Sequence, residues 1–275
     1  MRATSYSACI APAAGGAPQR GVIHSVFRAA ANISFPTGFM LSLNAASSPA
    51  MPNGLQLSSP AGSWPFSALR VGMPVLFGAH RLHIEAVNCS LDLTNCPRWD
   101  AHITRPSELY MHIIASNMRY LQQHLSGWRP QDDALRAPLL DEGRQQWRDA
   151  YASAEIARAM ALRLCGRGIG LTPSGDDMLA GWMACNWLLH GPTPRLLEAC
   201  QQIVLVARQQ THLLSQCWLS YAAEGNVALP IRNLLLALTQ EHQAKLISAA
   251  QEVLSLGASS GYDVVQGMLL VGLHK

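Results

Sequence analysis

The sequence predicts an α+β protein: a small N-terminal β-barrel or sandwich followed by an all-helical C-terminal domain containing two similar SGxD helix starts. Three observations predict it. Short β-rich runs broken by turn residues fill the chain from Val22 to about Asp100. From Thr104 onward, apolar residues recur every three or four positions instead. Finally, the pattern Ser-Gly-x-Asp, followed by two apolar residues, any residue and a glycine, occurs at Ser174 and again at Ser260.

Within the first region, Val22–Phe27, Phe39–Leu43, Leu55–Leu57, Val75–Phe77 and Leu82–Ile84 read as strands, because β-branched, aromatic and leucine residues cluster between Pro, Gly, Asn and Ser. Asn53-Gly54 supplies a tight turn, and Gly72 and Gly78 mark further breaks. The change of period places a domain boundary near Thr104, dividing a β-rich domain over 1–103 from a helical domain over 104–275. Tyr110, Ile113, Ile114, Met118, Leu121 and Leu125 define one helix face, and Ile156, Ala159, Met160 and Leu164 another. A polar, proline-bearing connection over Gly127–Glu142 separates them. One helix follows the glycine-rich segment to about Leu189, and a long one carries Cys200 through Tyr221 on one face. Pro230 falls in the first turn of the next. Glu241–Leu256 closes at Gly257, a plausible left-handed cap, and a short helix ends the chain.

Charged residues make up 13% of the 275-residue chain and hydrophobic residues 49%, against a usual charged share of about 25%. So little polar material implies a subunit with buried interfaces. The net charge of +3 comes without basic runs, which argues against a nucleic-acid partner. No apolar run approaches the roughly eighteen residues of a membrane span. The start, Met1–Gly21, lacks the leucine-rich core of a signal peptide, so a cytoplasmic protein is expected. The seven cysteines include no CxxC pair; inside apolar helix patterns they read as structural thiols of a reducing compartment.

The segment Gly166–Gly181 holds five glycines, a proline, two hydroxyls and the adjacent acids Asp176 and Asp177 and leads into an apolar helix. Ser174 with Asp177, and Ser260 with Asp263, read first as the aspartate form of a capping box. Gly175 and Gly261 then sit in first helical turns, where glycine costs about 1 kcal/mol relative to alanine; close approach of a ligand or another backbone would account for them. Gly181 and Gly267 would let the two helices cross tightly with their starts on one side. Paired starts would make a site for a small anion.

Other chemistries fit less well. Gly170–Gly175 matches half of a phosphate loop, but Asp176 stands where lysine is needed. The Gly166, Gly168, Gly170 series is not a dinucleotide fingerprint, and Ser174 lacks a nucleophile elbow. His80 and His83 would point to opposite faces of a strand. Asp176 and Asp177 diverge by about 100° on a helix, which disfavours one shared Mg2+; no metal and no cofactor are expected. Arg167 is the one cation inside the loop. Asp177 is matched by Asp263 and explained as a cap, whereas Asp176 is answered by Tyr262 and is the catalytic candidate.

With GxGxGLTPSGDDxLxG over 166–181, Thr211-x3-Ser215-x5-Tyr221-Ala-Ala-x-Gly225, Leu256-Gly-x-x-Ser-Gly-x-Asp263 and Val26-Phe-Arg-Ala-x-x-Asn32 in view, the chain resembles the AllH/YahE-like family, which includes a subunit of oxamate carbamoyltransferase. The resemblance implies a role, with an FdrA-like partner and a further large subunit, in carbamoyl transfer between carbamoyl phosphate and a small amide-bearing acid such as oxamate. Motif membership carries over to Gly168, Gly170, Thr172, Ser174, Gly175, Asp176, Asp177, Ser260, Gly261 and Asp263. Two other readings stand beside it: a non-catalytic assembly subunit of that complex, and a Mg2+-dependent hydrolase using the acid pair.

Overall fold

A computed structural model describes residues 2–58, 65–128, 147, 149–151 and 153–272. The chain divides into two compact units, residues 1–101 and 102–275.

The first unit is built on a single curled, mixed sheet. Its strands are β1 (Arg2–Ser7), β2 (Gln19–Val26), β3 (Ala30–Ser34), β4 (Met40–Ala45), β5 (Gly54–Ser58), β6 (Pro74–Gly78), β7 (Arg81–Ile84), β8 (Cys89–Asp92) and β9 (Arg98–Trp99). They lie in the order β8-β7-β6-β2-β3-β4-β5-β1-β9. The β4–β5 and β1–β9 pairs are parallel and the others antiparallel. Period-2 alternation puts Ile23, Ile33, Leu41, Leu43, Leu55 and Phe77 on the core face, where Phe39 and Phe77 stack and Phe35 packs tilted against both rings. The short helix α1 (Ala11–Gly15) packs beside β6.

Several features of this unit differ from the sequence reading, which has no counterpart of β1, β3, β8 or β9. β1 and β3 are full strands although Arg2–Ser7 and Ala30–Ser34 are rich in Ala and Ser, residues with weak β preference; pairing with β5 and with β2 and β4 overrides propensity. His80 is not in a strand. With Ala79 it forms the β6–β7 turn, at φ +57° and +47°, the left-handed geometry that matches hairpin twist.

The second unit is helical: α2 (Met111–Leu125), α3 (Ala154–Leu164), α4 (Ser174–His190), α5 (Pro194–Gln210), α6 (Leu213–Ala223), α7 (Leu229–Leu238), α8 (Gln243–Leu254) and α9 (Ser260–Leu269). From residue 129 on, the connection read over Gly127–Glu142 lies outside the described residues. α4 is buried around nearly its whole circumference, as expected of the central helix of a bundle. Trp182 donates its indole N–H to the Trp147 carbonyl at 2.8 Å, and Asn186 donates to Trp182 O at 2.9 Å. The long helix expected from Cys200 to Tyr221 is in fact two, α5 and α6, broken at Thr211 and His212. Cys165, Cys185 and Cys200 are buried, and burial pushes each thiol up to about 12, so these act as small hydrophobes. No described helix is long and apolar enough to cross a membrane.

Candidate functional site

The paired SGxD helices, α4 and α9, cross back to back in a reciprocal way. A Cβ at Gly181 would lie 2.0 Å from the Val264 carbonyl oxygen, and one at Gly267 would lie 1.9 Å from that of Met178. Met178 and Val264 are themselves equivalent positions of the repeat, so the crossing has local two-fold symmetry. Only glycine permits such an approach, since any side chain would meet backbone that cannot rotate away.

Gly175 and Gly261 repeat the device six residues earlier in each helix. Their Cβ positions are occupied by the carbonyls of Leu164 in α3, at 2.1 Å, and Val253 in α8, at 1.8 Å. The close approach anticipated at these glycines is therefore made by backbone. The contacting carbonyl lies eleven residues before Gly175 but eight before Gly261. The first copy has three additional residues, and they fall in the glycine loop.

That loop runs from Gly166 to Thr172 and turns through left-handed geometry at Gly166, Gly168 and Gly170, with φ of +75°, +120° and +92°. Gly166 packs on the Gln210 carbonyl and Gly168 on the Ser174 amide, while space beside Gly170 is open. Arg167, Gly168, Ile169 and Gly170 face solvent. Ser174 is buried beneath Gly168.

The serine caps read from the sequence are not formed. Pro173 and Ser259 occupy the cap positions without side-chain capping bonds, and the first-turn N–H groups find backbone partners. Gly175 donates to Arg167 O at 2.9 Å, Asp176 and Asp177 donate to Pro173 O at 2.9 and 3.2 Å, and Asp263 donates to Ser259 O at 3.0 Å. The hydroxyls are thereby released for contacts between the two copies. Thr172 Oγ1 and Ser260 Oγ lie 2.9 Å apart, and both hydroxyls hydrogen-bond to the Asp177 carboxyl.

The two adjacent acids turn to different neighbours. Asp176 accepts the Gly166 N–H at 2.9 Å and a short hydrogen bond from the Thr211 hydroxyl, with Ser215 adding another. It ties the glycine loop to the break between α5 and α6. Burial raises its pKa above the usual carboxylate value, partly offset by the Thr211, Gly166 and Ser215 hydrogen bonds. Asp177 faces Asp263, its counterpart in the repeat. Burial first, then the Asp263 and Asp176 charges, push Asp177 well above the ordinary range. Its Oδ2 is buried and accepts no hydrogen bond among the described residues. Asp263 is fully buried beside it.

Thr211 and Ser215 were not singled out as site residues by sequence reasoning. Their signal was the Thr-x3-Ser spacing, which puts both hydroxyls on one side of the α6 start. Among the described residues, no group of three or more His, Cys, Asp and Glu is arranged to hold a metal.

Fold and site together define a two-unit α+β protein: a curled sheet followed by a helical bundle, in which a duplicated helix start gathers hydroxyls and carboxyls under a glycine loop. Residues 164–272 match the family model described as oxamate carbamoyltransferase subunit AllH, and residues 2–98 match that of the AllH family N-terminal domain. Between them the two matches cover most of the chain, which belongs to the AllH family. No solved structure matches it.

Proposed function

We propose that this chain is a substrate-holding subunit of an oxamate carbamoyltransferase-type enzyme, working with an FdrA-like and a further large subunit. Its ligand is a small anionic, amide-bearing molecule of the carbamoyl phosphate or oxamate kind, bound where the starts of α4 and α9 converge. The observation that carries this reading is the 2.9 Å contact between Thr172 and Ser260, which joins both helix starts beside the solvent-facing glycine loop. Two positive dipole ends then share one region. Because the first-turn amides are occupied by the Arg167 and Pro173 carbonyls, the anion is met by the dipole ends, by the hydroxyls and by Arg167, whose fork suits a carboxylate or phosphate.

Each motif residue has a part in this reading. Gly168 and Gly170 hold the loop in the left-handed turn that keeps it open, Ser174 supports it from beneath, and Gly175 and Gly261 seat the two helix starts against α3 and α8. Burial and the neighbouring Asp263 charge favour the protonated form of Asp177, and a neutral carboxyl there does not repel the anion. Asp176 is the candidate base for the amide nitrogen. Gly166 and Thr211 fix its orientation, and burial raises its proton affinity toward the range a base needs. Carbamoyl transfer asks chiefly for two reactants held in line and donors for a developing oxyanion, with no cofactor. Nothing in the geometry favours a hydrolase acting through the Asp176–Asp177 pair, because the two carboxyls point to separate partners.

The test is Asp176→Asn in the reconstituted complex. A general base contributes roughly 10²–10⁴-fold, so kcat is expected to drop within that range while the complex stays assembled. Unchanged turnover and substrate affinity would remove Asp176 from the chemistry.

A further inference from the structure

The described residues of the first unit leave four large hydrophobic side chains exposed: Val22, Phe27, Val71 and Leu76. All four fall on β2, on β6 or in the turns next to them. Register places Val22 and Leu76 on neighbouring strands of one face. Val22 pairs with Pro74 and Arg20 with Leu76, and these side chains point away from the core face that holds Ile23, Val75 and Phe77. A bulge between Ile23 and Ser25 shifts the alternation, so Phe27 returns to the outer side. The turn carrying Val71, which is 70% exposed, is fixed to β2 by the Gly72 N–H bond to Ile23 O and the Ile23 N–H bond to Met73 O, 2.8 and 2.9 Å.

The charge on this face has one sign. Residues 19–28 and 70–78 contain Arg20, Arg28 and Arg70 and no Asp or Glu, and all three arginines are exposed. Arg70 spends its guanidinium on the neutral carbonyls of Ser67 and Leu69. Residues 1–101 as a whole hold six arginines and no lysine against Glu85, Asp92 and Asp100, which accounts for the entire net charge of +3.

We infer that the outer face of β2 and β6 is a docking surface for another subunit of the carbamoyltransferase complex, one that presents apolar side chains ringed by Asp and Glu. An apolar centre with a polar, charged rim is the anatomy of a protein interface, and clustered exposed hydrophobics are uncommon on a surface that meets only water. The charge decides the occupant. A second copy docking face to face through a two-fold axis would bring the same arginines against each other, whereas an acidic partner gains from every one of them. The inference rests on the subunit reading given above.

The experiment uses the full chain, purified and titrated with the other purified subunits of the complex, followed by calorimetry and by size exclusion with light scattering. Val71→Asp and Arg20→Glu lie on exposed positions, and thermal unfolding by circular dichroism verifies that each variant folds. Each is expected to weaken binding by at least about tenfold, and wild-type affinity is expected to fall as salt rises. Wild-type affinity in both variants would overturn the docking surface while leaving the subunit reading intact. A dimer of the isolated chain that Val71→Asp dissolves would overturn the acidic partner in favour of a second copy. Failure of the wild-type chain to bind any of the other subunits would overturn the subunit reading together with this surface.

Discussion

Replacing Gly181 or Gly267 by alanine isolates the contact on which the site depends. The new methyl carbon would stand 2.0 Å from Val264 O or 1.9 Å from Met178 O, against an ordinary contact of 3.4 Å or more. To accommodate it, the two helices must part by about 1.4 Å. Overpacking costs typically about 1–3 kcal/mol, and the upper end applies because both obstacles are helix backbone. Alanine returns up to about 1 kcal/mol through helix propensity. The expected net loss is about 2 kcal/mol for either single substitution. The double substitution should cost less than twice that, because helices already parted by one methyl make room for the other. For a unit of this size, about 2 kcal/mol corresponds to a Tm lowered by roughly 4–8 °C, measurable by calorimetry, with urea unfolding as a second readout. Gly127→Ala, where the added carbon meets nothing, serves as the control and should change little. A Gly181→Ala or Gly267→Ala protein at least as stable as wild type would refute the reciprocal crossing.

Further outcomes follow from the same geometry. Asp177 has a folded pKa above its unfolded value, so the folded state holds the extra proton and stability falls as pH rises from the unfolded value near 3.9 through the folded one. Asp177→Asn should abolish that part of the slope and gain stability relative to wild type as pH increases, read from urea midpoints at a series of pH values; a constant difference at every pH would contradict it. Thr211→Val removes the hydroxyl that donates to Asp176 and strands a buried acceptor, at a cost of about 1–3 kcal/mol. Thr211→Ser should restore most of this in the same unfolding assay, and equal loss in both variants would show that the hydroxyl is not what matters.

The fold was legible where period and composition agreed. Alternation marked β2, β4, β6 and β7, and the three-to-four spacing of Ile113 through Leu125 marked α2. β1 and β3 were not legible, because their small and hydroxylated residues become strands only through neighbours distant in sequence. The break between α5 and α6 was hidden because apolar periodicity runs on past Thr211, whose hydroxyl bonds to Asp176 on another helix. The repeat was visible from Ser174 and Ser260, and so was the tight crossing at Gly181 and Gly267. The roles of the hydroxyls were not. Ser174 and Ser260 satisfy a capping pattern as sequence, yet carbonyls from Arg167, Pro173 and Ser259 take the first-turn amides. The exchange depends on how the loop turns back on the helix start, which a residue pattern does not state.

The most direct test of the central claim is a crystal structure of the assembled complex with oxamate bound. The account predicts ligand density within hydrogen-bonding reach of the Thr172 and Ser260 hydroxyls, with Arg167 turned toward its carboxylate. Oxamate held on another subunit, with the Gly166–Thr172 loop and both helix starts closed to it, would contradict the account.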